Sequence, residues 1–366
     1  MTILKRYCLR ELVLPFVMSL ALITFIFLVA NLFDMADMVI NKGVSLFEVF
    51  KLLILMIPEL LGFILPTGVL ASILLVFGSF AQNNEILAVK ASGIHLFQLF
   101  TPVIVSAFVL SLFSLFLIDQ VQPRSEYRSR QIVRKMVIQR PVAYLEAGRF
   151  IKDFDGYTFW INRVEGNRLR GVTIFQHKEN EPTRTMIAEW AEMIPSVDEK
   201  SLSLKLYKGT SDEVNPKDPS VFYKVNFKSF LLQDIRVGKE RGGTDKKTKE
   251  MSIDELLYKL ERSPEVHMVP REERAIKAEI HKKISFSFAP LVFAFIGLPA
   301  AIITRRGEAV ISFSVSMGVV AVYYILFVFG RTVAVFGYLP AWLALWLPNV
   351  ILVAVGLILG RRSLQL

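Results

Sequence analysis

Gly148-Arg149-Phe150-Ile151-Lys152-Asp153-Phe154-Asp155-Gly156-Tyr157-Thr158-Phe159-Trp160-Ile161-Asn162-Arg163-Val164 alternates apolar and polar residues around an Asp-Gly turn. Period two with β-branched and aromatic residues is strand patterning, and Asp155-Gly156 is hairpin chemistry. Further segments of the same kind are Gly171–Gln176, Thr185–Met193, Leu202–Tyr207 and Val221–Leu231. Turn clusters separate them: Glu165-Gly166-Asn167, Lys178–Pro182, Lys208-Gly209 and Asn215–Ser220. Regular short strands predict a sandwich or open roll. Its expected inward residues include Phe150, Phe159, Ile161, Val172, Ile174, Leu202 and Leu204, an ordinary core or the lining of an acyl-chain path.

This polar block, 122–283, is flanked by three long apolar runs on each side. The expected spans are Leu12–Phe33, Leu60–Phe80, Leu96–Ile118, Ile284–Ile303, Ala309–Phe329 and Ala341–Leu359. Each is near the length an α-helix needs to cross about 30 Å of hydrocarbon. Continuous runs favour helices over a lipid-embedded barrel, whose strands alternate. The first run exceeds a signal-peptide core, and Asn31-Leu32-Phe33 is a poor cleavage context. Leu46–Ile57 reaches only about 18 Å as a helix and is predicted to lie at the interface or fold back, broken from the second span by Pro58. The fold class is therefore a helical integral membrane protein with six spans, three plus three, and an inserted all-β domain. The expected domains are 1–121, 122–283 and 284–366.

Charge orients it. With the N-terminus inside, the cytoplasmic segments hold Lys5, Arg6, Arg10, Lys90, Arg305, Arg306, Arg361 and Arg362. The short outer loops hold only Lys42 and Arg331. The positive-inside rule then puts both termini in the cytoplasm and the β-domain outside. The net charge of +10 suits lipid headgroups at span ends rather than nucleic acid. Arg134, Lys282 and Lys283, flanking the third and fourth spans, are candidates for a phosphate-bearing lipid or for simple headgroup contact.

Local signals place three short helices. Asn83 or Asn84 can cap a helix opening with Glu85 and stopped by Gly93. Ser252-Ile253-Asp254-Glu255 is a capping box, and Pro270 opens a helix leading toward the fourth span. No phosphate-cradling loop, zinc-protease helix or nucleophile elbow occurs, and the histidines are scattered. The single Cys8 forms no intrachain disulfide. Neither catalytic residue, metal nor cofactor is expected.

The order of several stretches resembles the LptF/LptG family of lipopolysaccharide export permeases. They are Arg6-Tyr7…Arg10-Glu11, Pro58…Leu65-Pro66, Asn84-Glu85-Ile86…Ala91-Ser92-Gly93, Gly156–Val164, and Leu339-Pro340…Trp346-Leu347-Pro348-Asn349. The resemblance implies a permease subunit of an ABC exporter that extracts lipopolysaccharide from the bacterial inner membrane. It implies a jellyroll-like periplasmic domain and four partners: a cytoplasmic LptB-like ATPase dimer, a second permease of the family, a bitopic LptC-like protein and a periplasmic bridge. The family's coupling helix maps onto Glu85, Ile86 and Val89, with Glu85 at its acidic position. Lysines characteristic of the G type are unmatched where Asp34 and Asp37 stand, which leans the chain toward F. Two other classes stay open. A lipoprotein-release or efflux permease usually carries its external domain after the first span, and a scaffold would not bind an ATPase.

Overall fold

The computed structural model describes residues 2–40, 44–139, 147–154, 156–165, 168–177, 183–195, 201–214, 222–236, 246–262, 268–304 and 308–365. The expected turns at 166–167, 178–182 and 215–220, together with Lys42, Arg305 and Arg306, lie outside the described residues. By contacts the chain divides into two units. A helical unit comprises Met1–Asn31, Leu55–Tyr127 and Lys246–Leu366, and a β unit comprises Leu32–Ile54 and Arg128–Asp245.

The helices in chain order are α1 (Thr2–Ile40), α2 (Leu46–Gln82), α3 (Glu85–Ala91), α4 (Leu96–Phe116) and α5 (Gln122–Gln139), then after the sheet α6 (Ile253–Glu261), α7 (Pro270–Ser287), α8 (Ala289–Thr304), α9 (Ala309–Phe336) and α10 (Ala341–Gln365). Among the described residues five helical stretches are long and apolar enough to cross a membrane, or six if the α7–α8 pair, bent by 42°, counts as one. The capping box forms as read: Ser252 Oγ accepts the Glu255 N–H at 3.3 Å, and the Glu255 carboxylate accepts the Ser252 N–H at 3.1 Å.

Two sequence expectations are corrected here. Leu46–Gln82 is one 37-residue helix with Pro58 and Pro66 inside it, not an interfacial segment broken from a span. Each proline removes a single ladder bond, a loss that a helix can accommodate by bending and continuing. Asn84 is the residue before α3, but it adopts a left-handed conformation (φ 61°) without a side-chain cap, and Asn83 instead bonds Ser79.

α2 is the buried hub of the helical unit, with Leu70, Ile73 and Phe77 almost wholly enclosed. Prolines and glycines set how closely α8, α9 and α10 approach. Pro299 has no N–H for the Phe295 carbonyl, and Pro348 has none for that of Ala344. Each freed oxygen lies close to a glycine of a neighbouring helix, Phe295 of α8 to Gly356 of α10 and Ala344 of α10 to Gly330 of α9. A Cβ on Gly356 would lie 2.7 Å from the Phe295 oxygen, and one on Gly330 only 2.4 Å from the Ala344 oxygen. The absent side chains let the backbones approach this closely. Beside these contacts runs a buried chain of hydrogen bonds. Tyr323 donates to Asn349 Oδ1 (2.9 Å), Asn349 Nδ2 donates to the Ser285 carbonyl (2.9 Å), and Ser285 Oγ donates to the Leu345 carbonyl (2.6 Å). Three helices are thereby cross-linked by groups that would be costly to leave unpaired in hydrocarbon.

The β unit contains one six-stranded antiparallel sheet in the order β1–β6. Its strands are β1 (Phe150–Phe154), β2 (Tyr157–Glu165), β3 (Arg168–Gln176), β4 (Arg184–Pro195), β5 (Ser201–Val214) and β6 (Phe222–Arg236). This corrects the jellyroll-like expectation: the described strands form a meander, without the Greek-key exchange of a jellyroll. The predicted Lys208-Gly209 turn is corrected too, because β5 runs straight through it. That position belongs to a crease. Asn162, Gly171, Glu189 and Lys208 sit opposite one another on four consecutive strands. Gly171 (φ 61°) and Lys208 (φ 48°) are left-handed. Across the crease the buried positions change parity, from Leu169 to Val172, from Ala188 to Ala191 and from Leu206 to Ser211. Side chains from both sides thus join one core, and a meander encloses apolar residues that a flat sheet would leave on one open face.

Candidate functional site

Within the helical unit, a cavity of about 130 Å³ opens beside the π-helical turn Leu117–Val121, which bridges α4 and α5. Its floor is aromatic. Phe63 of α2 meets Phe286 of α7 at 5.1 Å and Tyr324 of α9 at 5.4 Å, and Phe327 lies 5.2 Å from Phe286. Its rim is charged, with Glu59, Glu126, Lys249, Lys282, Lys283 and Arg331.

The rim charges are held by carboxylates behind them. Glu279, 2% exposed, accepts from Lys282 Nζ at 2.7 Å and from Arg331 Nη2 at 3.1 Å. Lys283, also 2% exposed, donates to the Met251 carbonyl and lies 3.5 Å from Asp119. Asp119 in turn accepts the Ile253 N–H at 2.6 Å and a Gln120 amide N–H at 2.8 Å. The Asp119–Lys283 pair therefore ties together the chain where it departs toward the β unit and where it returns. Counting the two backing groups, the cavity's four cations are matched by four carboxylates. Such a balanced wall over aromatic rings suits a ligand with both hydroxyls and phosphates on an apolar body. It does not suit a bare anion.

Lys282 and Lys283 line this cavity, Lys282 with its head toward Glu279 and Lys283 with its ammonium engaged internally. Arg134, half-buried on α5, belongs to the β unit and is not among the lining residues. Phe159 and Ile174 are a cross-strand pair, both wholly buried in the sheet core. Phe150 is not with them. Its register partner is Trp160, the two rings are 4.7 Å apart, and it is 60% exposed on the opposite face. The inward assignment of Phe150 is corrected: counting alternate residues from Gly148 misses the irregular pairing between Ile151 and Phe154.

α3 lies at the other end of α2. Ile86 is buried in the helical core and anchors α3, Val89 is half-buried, and Glu85 is half-buried beside the Tyr7 hydroxyl. Tyr7 itself stacks on Phe80 at 5.5 Å. Leu87, 58% exposed, is the outward apolar residue, one the sequence reading passed over. Gly93 (φ 74°) ends this element as predicted. The sequence reading did not single out Asp119 or Glu279 as site residues.

The pattern of the lipopolysaccharide export system permease LptF/LptG family matches residues 6–362. The chain belongs to this family. Its members are transporter permeases, and this chain is accordingly a multi-pass membrane protein with a β-sheet unit. Lipopolysaccharide export system permease protein LptG of Escherichia coli K12 is 27% identical over 128 residues, 35% of each chain. An uncharacterised protein of Rickettsia prowazekii is 21% identical over 272 residues, 73% of this chain and 71% of its own length.

Proposed function

We propose that this LptF/LptG chain is one permease subunit of an ABC-type exporter that lifts lipopolysaccharide from the inner membrane. In this reading α7 and α8 form one broken span, so six helices cross the bilayer. Both termini are then cytoplasmic, and the β unit is periplasmic. The supporting observation is the charge-balanced cavity over Phe63, Phe286 and Phe327, whose chemistry fits a phosphorylated sugar carried on acyl chains. Glu59, Lys249, Lys282 and Arg331 would contact the headgroup, while the Asp119–Lys283 pair holds the wall in place. The partners of this reading are a cytoplasmic LptB-like ATPase dimer, a second permease of the family and a bitopic LptC-like protein. The buried core around Phe159 and Ile174 would shield acyl chains once the sheet receives them.

Glu85 and Leu87 on α3 form the surface offered to the ATPase. A carboxylate beside an exposed leucine suits a groove that presents an arginine, since a charge-assisted contact can transmit force as well as bind.

Photo-crosslinkers at Tyr324 and Glu59 in membranes should capture lipopolysaccharide, and Glu85→Arg should abolish co-purification of the ATPase while leaving the chain folded. Absence of lipid adducts at both positions would overturn the cavity's role. A Glu85→Arg chain that still brings down the ATPase would overturn the coupling role.

A further inference from the structure

A second cavity lies where α1, α2 and α4 meet. Leu9, Leu12, Val13 and Phe16 fall at i, i+3, i+4 and i+7, one face of α1, and line a groove of about 130 Å³. Two serines also line it, but each turns its O–H donor onto its own helix. Ser72 Oγ donates to the Val69 carbonyl of its own helix at 2.9 Å, and Ser106 Oγ to the Val103 carbonyl at 2.8 Å. The lining is therefore mostly carbon and offers no free O–H donor. Its far end lies where α1 closes on α2: a Cβ on Gly68 would lie 3.0 Å from Leu20 and 3.3 Å from Phe16.

Along α2, the aromatic cavity ends at Phe63 and the groove extends to Ile73, ten residues further, about 15 Å of helix. The two cavities thus occupy different depths. One turn before the groove, Lys5 and Arg6 precede Leu9 by four and three residues, which puts them on its face, and Arg10 stands likewise before Val13. All three side chains are exposed. The nearby Glu11 follows Leu9 by two residues, so it points off this face.

A carbon-lined groove about 10 Å long, from Leu9 to Phe16, leading to a cationic turn is complementary to an acyl chain ending in a phosphate. We propose that this groove holds one acyl chain of an anionic phospholipid whose phosphate is met by Lys5 and Arg6. The leaflet, cytoplasmic, rests on the orientation proposed above; the binding does not. The site would fasten the start of α1 to α2 and α4 while the rest of α1 stays largely exposed.

Native mass spectrometry of the full chain in detergent, titrated with phosphatidylglycerol or phosphatidylcholine, tests this. The expected result is one retained phosphatidylglycerol at about tenfold lower concentration than phosphatidylcholine. Lys5→Gln with Arg6→Gln should remove the preference, and Ala107→Leu, which fills the groove, should weaken both lipids. Equal binding of the two lipids by the unaltered chain overturns the proposal. So does an unchanged preference in the double variant, retained binding in a folded Ala107→Leu chain, or a lipid-free dimer, which would give the groove to a second copy. If Ala107→Leu fails to fold, the exposed double variant decides alone. Mislabelled sidedness in cells would displace the leaflet and leave these titrations standing.

Discussion

Lys283 and Asp119 face each other at 3.5 Å, their side chains 3% and 14% exposed, and between them they hold the Met251 carbonyl and the Ile253 N–H. A buried pair of this kind is weak evidence of net stabilisation, but breaking one side leaves an uncompensated charge. Asp119→Ala is expected to destabilise the helical unit by about 3–5 kcal/mol. Asp119→Asn combined with Lys283→Met should recover most of that loss. Thermal unfolding in detergent checks both. Equal stability of Asp119→Ala and the parent chain would show that the pair carries no structural role.

The glycines facing freed carbonyls make a sharper test. Gly330→Ala and Gly356→Ala place a methyl against backbone oxygen at 2.4 and 2.7 Å, where no rotamer change relieves it. Overpacking of this kind costs about 1–3 kcal/mol. Gly318, on the same α9 as Gly330, has nothing within 4 Å of an added Cβ. Gly318→Ala should therefore be neutral or slightly stabilising through helix propensity. The three midpoints measured together separate close approach from a general intolerance of larger residues.

The crease in the sheet depends on Gly171. At φ 61° an alanine is strained, and its Cβ would also lie 2.9 Å from that of Asn162. Gly171→Ala is expected to raise amide hydrogen exchange along β2 and β3 and to leave α8 to α10 unchanged. Exchange that rises equally in the helices would mean the substitution acts through global unfolding.

The capping box of α6 should respond to pH. At Glu255, desolvation raises the carboxyl's affinity for a proton, but hydrogen bonds from Lys246 and the Ser252 N–H outweigh it, leaving the pKa below its ordinary value. A depressed folded-state pKa contributes stability above the unfolded value, about 4.3, and loses it as pH falls through the folded one. Exchange protection of α6 should therefore drop below about pH 4.3 in the parent chain. Glu255→Gln should be less protected at neutral pH and flatter across that range. A parallel drop in both chains would assign the effect to other carboxylates.

Sequence alone determined the element types. Apolar runs of spanning length have no stable exposed state in water, and period-two stretches separated by Gly, Asn and Asp have few alternatives to strands, so both were legible locally. The Ser252 cap, the Gly93 stop and the family were legible for the same reason: each is written in neighbouring residues. Tertiary structure decided what depends on a partner distant in sequence. Whether Pro58 breaks α2 was not legible locally, because a helix can lose one ladder bond at a proline and continue. Phe150 left the core because an irregular pairing with β2 shifted its register. Lys208-Gly209 became a crease because Glu189 lies opposite it on β4 and Gly171 opposite that on β3. Asp119 and Glu279 became the backing of a cavity wall only when Lys283, Lys282 and Arg331 came within reach. Hydrogen bonds act only at about 3 Å and charge pairs strengthen as they close, so a residue's electrostatic role is set by which side chains the fold brings beside it.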